Sequence, residues 1–473
     1  MNSKKLNYIL VIFWLIIVIF TMFHHEIWRD EARVWWFVKE YDYSKLFNVI
    51  INDGHPFLWY AILMPFAKNG FPLITMQISS VLAVFFSVCI FCFKSKFNFF
   101  IKLLFVFSSG MLYFMPVIAR NYAVIPIILF VIAVLYPKRN ESRFLYTLCI
   151  ILLSQTHVLM WGTSFILWIL FAYEQIKEFQ HSSLKQKLLI SLNLLFFVVY
   201  SGFMVHLYVP VMLTSNYKLI KKFFEPVTFS FFSEFKFLFM HKVLQCSEIW
   251  KYIYIASMML LSGVILKVNY KSFLILFCSV LFMIYIFVHI WFGGIPYQKY
   301  FLITVIFVFC CMILDVKSKY DNIILQVSLL LFLSVSSYVF NPIKFIQEYI
   351  KYNFTNTKEV SDFLHKRNIR AGEKFLLIDY KYTLDDTWKV YFDGYIYKSR
   401  IFIELDDDYI SKIREEIEKR PKLEYIAVND KYRKYIQNTN LVPIIQSSQR
   451  EKVRIYGFNS NEYYNLYKSG KKL

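Results

Sequence analysis

Apolar runs long enough to cross a bilayer, about 20 residues each, recur along the chain from its start to about Phe340 and then stop. Their spacing predicts spans at about 7–23, 72–93, 97–116, 118–136, 144–160, 161–176, 187–212, 252–267, 272–291, 300–315 and 323–340, about eleven crossings. Between the first two runs, WRDEARVWWFVKE (Trp28–Glu40) reads as a short helix with acids in its first turn and aromatics suited to a membrane interface. DGHPFLWYAILMPF (Asp53–Phe66) follows as a turn, a Pro at a helix start and an apolar helix of about a dozen residues, too short to span. Both helices are expected to lie flat on the outer leaflet. Beyond about residue 341 the runs shrink to strand length: KFLLID, RIFIEL, LEYIAV, LVPIIQ and KVRIYGF, with the helix-like TKEVSDFLHKR and DDYISKIREEIEKR among them. The expected fold is a polytopic α-helical membrane protein over 1–340, with a C-terminal extracytoplasmic α/β domain over 341–473. Its sheet would be partly parallel and its final strand pair a hairpin.

Composition agrees with the pattern. The chain is 58% hydrophobic and carries 51 Phe and 35 Tyr among 473 residues, more apolar surface than one water-soluble core buries. A net charge of +20 raises nucleic acid as a partner, but the Lys and Arg are scattered between apolar runs instead of sharing one polar face, so nucleic acid is excluded. Six of the seven Cys (Cys89, Cys92, Cys149, Cys278, Cys310 and Cys311) fall in or at predicted spans, which argues against a disulfide framework. The first run follows Lys4 and Lys5 but leads into His24, His25, Glu26 and Ile27 with no small-residue cleavage site, so it reads as a retained span.

The basic residues also orient the chain. Lys4/Lys5, Lys94/Lys96, Lys138/Arg139/Arg143, Lys185/Lys187, Lys267/Lys271 and Lys317/Lys319 fall on one side, which the positive-inside bias makes cytoplasmic. The N-terminus is then cytoplasmic, and an odd number of spans sends the C-terminal region outside. Asp30, Glu31, Asp53, His55, Arg120, His157 and Lys299 all emerge at the extracytoplasmic face. Five of them have a bland reading. Asp30 and Glu31 suit the start of a juxtamembrane helix; Arg120 in MPVIARNYAVIP can snorkel; His157 in SQTHVLMWG can be a helix-packing residue; Lys299 in WFGGIPYQKYF can anchor at the interface. The acid run Asp406–Asp408 precedes an amphipathic helix and reads as its acidic start.

Taken together, WRDEA after the first span, GHP before the interfacial helix, ARNYA opening the fourth span, QTH closing the fifth and a late KYF resemble the polytopic GT-C glycosyltransferases. That superfamily includes protein O-mannosyltransferases and aminoarabinose transferases. The resemblance covers about 1–175 by motif and 176–340 by layout. It implies transfer of a sugar from a polyprenyl-phosphate donor to a glycan, lipid or protein acceptor outside a bacterial plasma membrane, for cell-envelope or surface glycan modification. The family's first-loop acid matches Asp30, with Glu31 beside it, as general base or acceptor-orienting group. Arg120 and Lys299 would neutralise the departing lipid phosphate, with Tyr122 beside them, and His55 and His157 would bind sugar or phosphate. The best-known subfamilies carry HPP where this chain has His55-Pro56-Phe57, which leaves sugar and acceptor open. Some members use a divalent metal; two carboxylates and a His offer suitable ligands, and no metal is assigned.

Two other functions share part of this pattern. A transporter or flippase would place charges near span centres and break helices at the midplane. A polysaccharide polymerase or ligase would gather basic residues in a large outer loop, and the loop over 213–251 does hold Lys218, Lys221 and Lys222.

Overall fold

The computed structural model describes residues 3–53, 55–214, 230–237, 246–290, 319–343, 356–370, 374–380, 387–392, 400–403, 409–429, 442–445 and 464–468, with a few single positions between them. Among these, eight helices are long and apolar enough to cross a membrane, so the chain is a multi-pass helical membrane protein. By contacts it divides into two units: 1–23, 41–65 and 74–346 form the first, and 24–40, 66–73 and 347–473 the second.

In the first unit, α1 (Ser3–Phe23) shows how apolar sequence becomes a packed span. Leu10, Val11, Trp14, Val18 and Met22 are buried at helical spacing, while Ile9, Ile12, Phe13, Ile16 and Phe20 stay exposed on the remaining face. The buried stripe packs on α5 (Ile74–Lys94), which in turn packs on α7 (Ile125–Leu135).

The run expected to span 97–116 is not one helix. It forms α6 (Phe99–Val106) and, after three residues, a π turn over Gly110–Phe114. Ser108, Ser109 and Gly110 are poor helix formers, and Pro116 supplies no N–H and crowds the carbonyl four residues back, so the segment unwinds. Backbone groups released in an apolar setting need partners. The carbonyl of Met111 accepts from the Trp14 indole at 2.9 Å, and that of Met115 from the Ser80 hydroxyl at 3.0 Å. A short 3-10 turn, Asn121–Val124, then leads into α7.

The expected span 144–160 is shorter than predicted: α8 (Arg143–Ser154) ends early, and a turn through His157 leads into α9 (Trp161–Gln180). α10 (Leu184–Thr214), α11 (Ser230–Phe237), α12 (Glu248–Val268), α13 (Tyr270–Tyr285) and α14 (Lys319–Val339) follow. The expected span at 300–315 lies outside the described residues. α9 and α13 meet closely at Gly162, where a Cβ would come 2.5 Å from Phe282, so only glycine fits that contact. At the α7–α8 turn, Arg139 grips Glu174 of α9 with two hydrogen bonds of 2.6 and 2.9 Å, and Lys271 of α13 adds a third at 2.6 Å.

The first loop carries three helices, one more than expected: α2 (Arg29–Glu40), α3 (Tyr43–Asp53) and α4 (Leu58–Lys68). α3 went unread because YSKLFNVIIND is short and weakly apolar. α2 and the segment 66–73 group with the second unit, not with the spans. There the Lys68 ammonium donates to the Lys39 carbonyl at 3.0 Å.

The second unit is built on a five-stranded sheet of order β2-β1-β3-β5-β4. β1 (Phe375–Tyr380) pairs in parallel with β2 (Arg400–Ile403) and β3 (Tyr425–Asn429); β5 (Tyr464–Lys468) runs antiparallel to β3 and to β4 (Val442–Ile445). The parallel part follows the helix–strand alternation, because a parallel crossover needs a connection long enough to hold a helix. α15 (Thr357–His365), α16 (Thr387–Tyr391) and α17 (Tyr409–Glu418) supply the helices. Val360 and Leu364 of α15 and Trp388 and Phe392 in and after α16 cover Phe375 and Leu377 of β1. The partner of β4 is β5, whereas the hairpin partner expected from sequence, KVRIYGF, lies outside the described residues.

Candidate functional site

The two sequence acids differ sharply. Trp28 is the residue before α2, and the Glu31 side chain reaches back to accept its N–H at 3.1 Å, the reciprocal half of a capping box. The same Oε2 lies 2.9 Å from Nε2 of His25; a carboxylate only accepts, so the imidazole donates. Glu31 is fully buried, with 0% exposure, and one of its oxygens is committed to the helix start. The Asp30 carboxylate keeps 26% of its side chain exposed and takes a 3.1 Å contact from Nε of its neighbour Arg29. Of the pair, Asp30 is the one an incoming molecule can reach.

In the first unit the motifs GHP, ARNYA and QTH come together. Arg120 sits in extended backbone between the π turn and the 3-10 turn, 8% exposed, and its guanidinium donates to Nε2 of His55 at 2.9 Å. The rings of His55 and His157 lie 5.7 Å apart. Asn121 donates to the Thr156 carbonyl at 2.8 Å, tying ARNYA to QTH. Tyr122 is buried.

Hydrogen-bond directions fix the proton positions. Guanidinium never accepts, so Nε2 of His55 must, which puts its proton on Nδ1. Nδ1 of His157 accepts from the Leu159 N–H at 3.2 Å, which puts its proton on Nε2. The cluster therefore joins one permanent cation to two imidazoles that each accept at one ring nitrogen and carry the proton on the other. Such a set suits an anion with several acceptor oxygens.

Gln155 is the residue that sequence reasoning missed. Its carbonyl accepts from the Leu58 N–H at 3.2 Å and its amide oxygen from the Phe57 N–H at 3.4 Å, so it caps the start of α4 just after His55. Its amide nitrogen donates to the Tyr200 hydroxyl of α10. The signal was its place in QTH, two residues before His157.

Lys299 lies outside the described residues. Among the described residues no group of three or more His, Cys, Asp or Glu is placed to hold a metal ion. Comparison with protein-family models, with curated proteins and with solved structures gave no match.

Proposed function

We propose that this chain is a GT-C-type glycosyltransferase that moves a sugar from a polyprenyl-phosphate donor to a glycan, lipid or protein acceptor on the extracytoplasmic side of the membrane. The observation that carries the reading is the meeting of three motifs in the Arg120–His55–His157 cluster, where a buried guanidinium donates to one imidazole and a second imidazole ring lies 5.7 Å from the first. A departing lipid phosphate gains negative charge as the glycosidic bond breaks, and fixed N–H donors in a water-poor site stabilise that charge more than water does. Arg120 is assigned to the phosphate oxygens, His55 and His157 to phosphate or sugar oxygens, and Lys299 to a second positive charge. Tyr122, two residues from Arg120, is assigned to the donor side with it. Asp30 is assigned as the base that accepts the acceptor hydroxyl's proton, with Glu31 fixing the start of the helix that carries it.

The test is sugar transfer by the purified protein from a set of polyprenyl-phosphate hexoses and pentoses. A charge-assisted hydrogen bond contributes about 1.5–3 kcal/mol, so Arg120→Ala should raise the donor KM by about 10- to 100-fold. Arg120→Lys should not restore it, because a point charge cannot satisfy an imidazole and a phosphate in two directions. Release of no sugar from any donor, or an unchanged donor KM in Arg120→Ala, would overturn the reading.

A further inference from the structure

Within the second unit, the acid-bearing helix α2 is held by residues more than 350 positions away. The Ile27 N–H donates to the phenol oxygen of Tyr391 at 2.8 Å, across 364 positions of chain. α16, which ends in Tyr391, packs against α2, and the Lys389 ammonium lies 5.6 Å from the centre of the Trp36 ring. α16 is itself fixed: Trp388 packs on Phe375 of β1, and the Thr387 hydroxyl donates to that of Thr357 at 3.0 Å. A short rigid path thus runs from the sheet through α16 to Ile27. Ile27 immediately precedes Trp28, whose N–H closes the cap with Glu31.

The phenol's surroundings suit an anchoring role. Burial first, then the carboxylates of Glu26, Glu31 and Asp362, hold the Tyr391 pKa well above the ordinary phenol range. The group stays a neutral hydroxyl across the working pH range, and its oxygen stays available to the Ile27 N–H.

We infer that Tyr391 is a positioning residue for the transfer step. It fixes the backbone at the entry to α2 and so sets where the Asp30 carboxylate sits, which gives the C-terminal α/β unit a direct part in the reaction. The inference rests on the reading of Asp30 as the reaction's base. It requires Tyr391 to act through Asp30 and not on the donor.

The experiment uses the full-length protein in detergent, with Tyr391→Phe, Asp30→Asn and the double variant. Tyr391→Phe should lower kcat about tenfold, since small misplacements of a reacting group cost one to two orders of magnitude, and should leave the donor KM unchanged. In the Asp30→Asn background the same change should cost nothing further, because the two residues act as one unit. Hydrogen exchange should quicken about fivefold in peptides covering 24–40, the range expected when one hydrogen bond is lost, with β1 and β3 peptides unchanged. Wild-type kcat in Tyr391→Phe, or an equal loss in both backgrounds, overturns the inference. If Asp30→Asn is itself fully active, the assignment of the base fails and the inference with it, while the exchange data still decide whether Tyr391 holds the segment. Should Tyr391→Phe fail to fold, Lys389→Ala loosens the same contact through Trp36; unchanged exchange over 24–40 and unchanged kcat in that variant overturn the inference.

Discussion

Asp30 and Glu31 are neighbours in sequence, yet their surroundings predict opposite consequences for the same chemical change. Glu31→Gln keeps the shape but turns two charge-assisted hydrogen bonds on Oε2, from the Trp28 N–H and His25 Nε2, into neutral ones. Neutral hydrogen bonds contribute about 1 kcal/mol less each than charge-assisted ones, and the site is fully buried, so water does not make up the loss. The expected cost is about 2 kcal/mol of stability, seen as a fall of several degrees in the unfolding midpoint. Asp30→Asn alters a partly exposed carboxylate beside Arg29, and a surface pair of that kind contributes under about 1 kcal/mol. Its unfolding midpoint should barely move. Its rate should fall about 10²–10⁴-fold, the usual loss when a general base is removed. The assay pairs thermal unfolding in detergent with sugar release from a polyprenyl-phosphate donor, on both single variants. Loss of stability in Asp30→Asn with normal turnover, and the reverse pattern in Glu31→Gln, would refute the division of labour and transfer the base to Glu31.

Topology gives a second prediction: in a background lacking the native cysteines, single cysteines at Lys45 and Lys419 should react with an impermeant thiol reagent in intact cells, and one at Ser95 should not. Labelling of Ser95 alone would invert the chain. At the other end of the spans, Glu174→Gln leaves Arg139 and Lys271 facing each other without their shared carboxylate. The three side chains are half-buried, so turning these charge-assisted hydrogen bonds into neutral ones costs about 1–3 kcal/mol, and the unfolding midpoint should drop by a few degrees. Adding Arg139→Ala should then cost little more, since the pair is already broken.

Much of this was readable in the chain because periodicity reports burial directly. The stripe Leu10, Trp14, Val18 on α1 and the acidic start of α2 are local properties, fixed within a few residues. The meeting of His55, Arg120 and His157 was foreshadowed by three motifs expected on one face, one in the first loop and two at span ends. What stayed hidden depends on distant partners or on averaging. Hydropathy over a 20-residue window hid the break at Ser108–Gly110, since Phe and Met on either side outweigh it. β5, with Leu466 its sole wholly apolar residue, is a strand because β3 and β4 both offer it a hydrogen-bonded edge. The grouping of α2 with the C-terminal strands rests on contacts such as Ile27 with Tyr391, which no local signal announces.

The unwound stretch after α6 carries a consequence for how the chain is made. Its released carbonyls are satisfied by Trp14 and Ser80, both on helices that precede it in sequence. Synthesis runs from the N-terminus, so both partners leave the ribosome before Met111 and Met115 do. The break therefore never has to wait in lipid for a partner still to be translated. The order of segments in the gene is in this respect part of the fold: a rearranged chain with the same spans, but with α1 moved to the end, would leave the Met111 carbonyl without Trp14 until its last segment was made, while Ser80 would still reach Met115 in time.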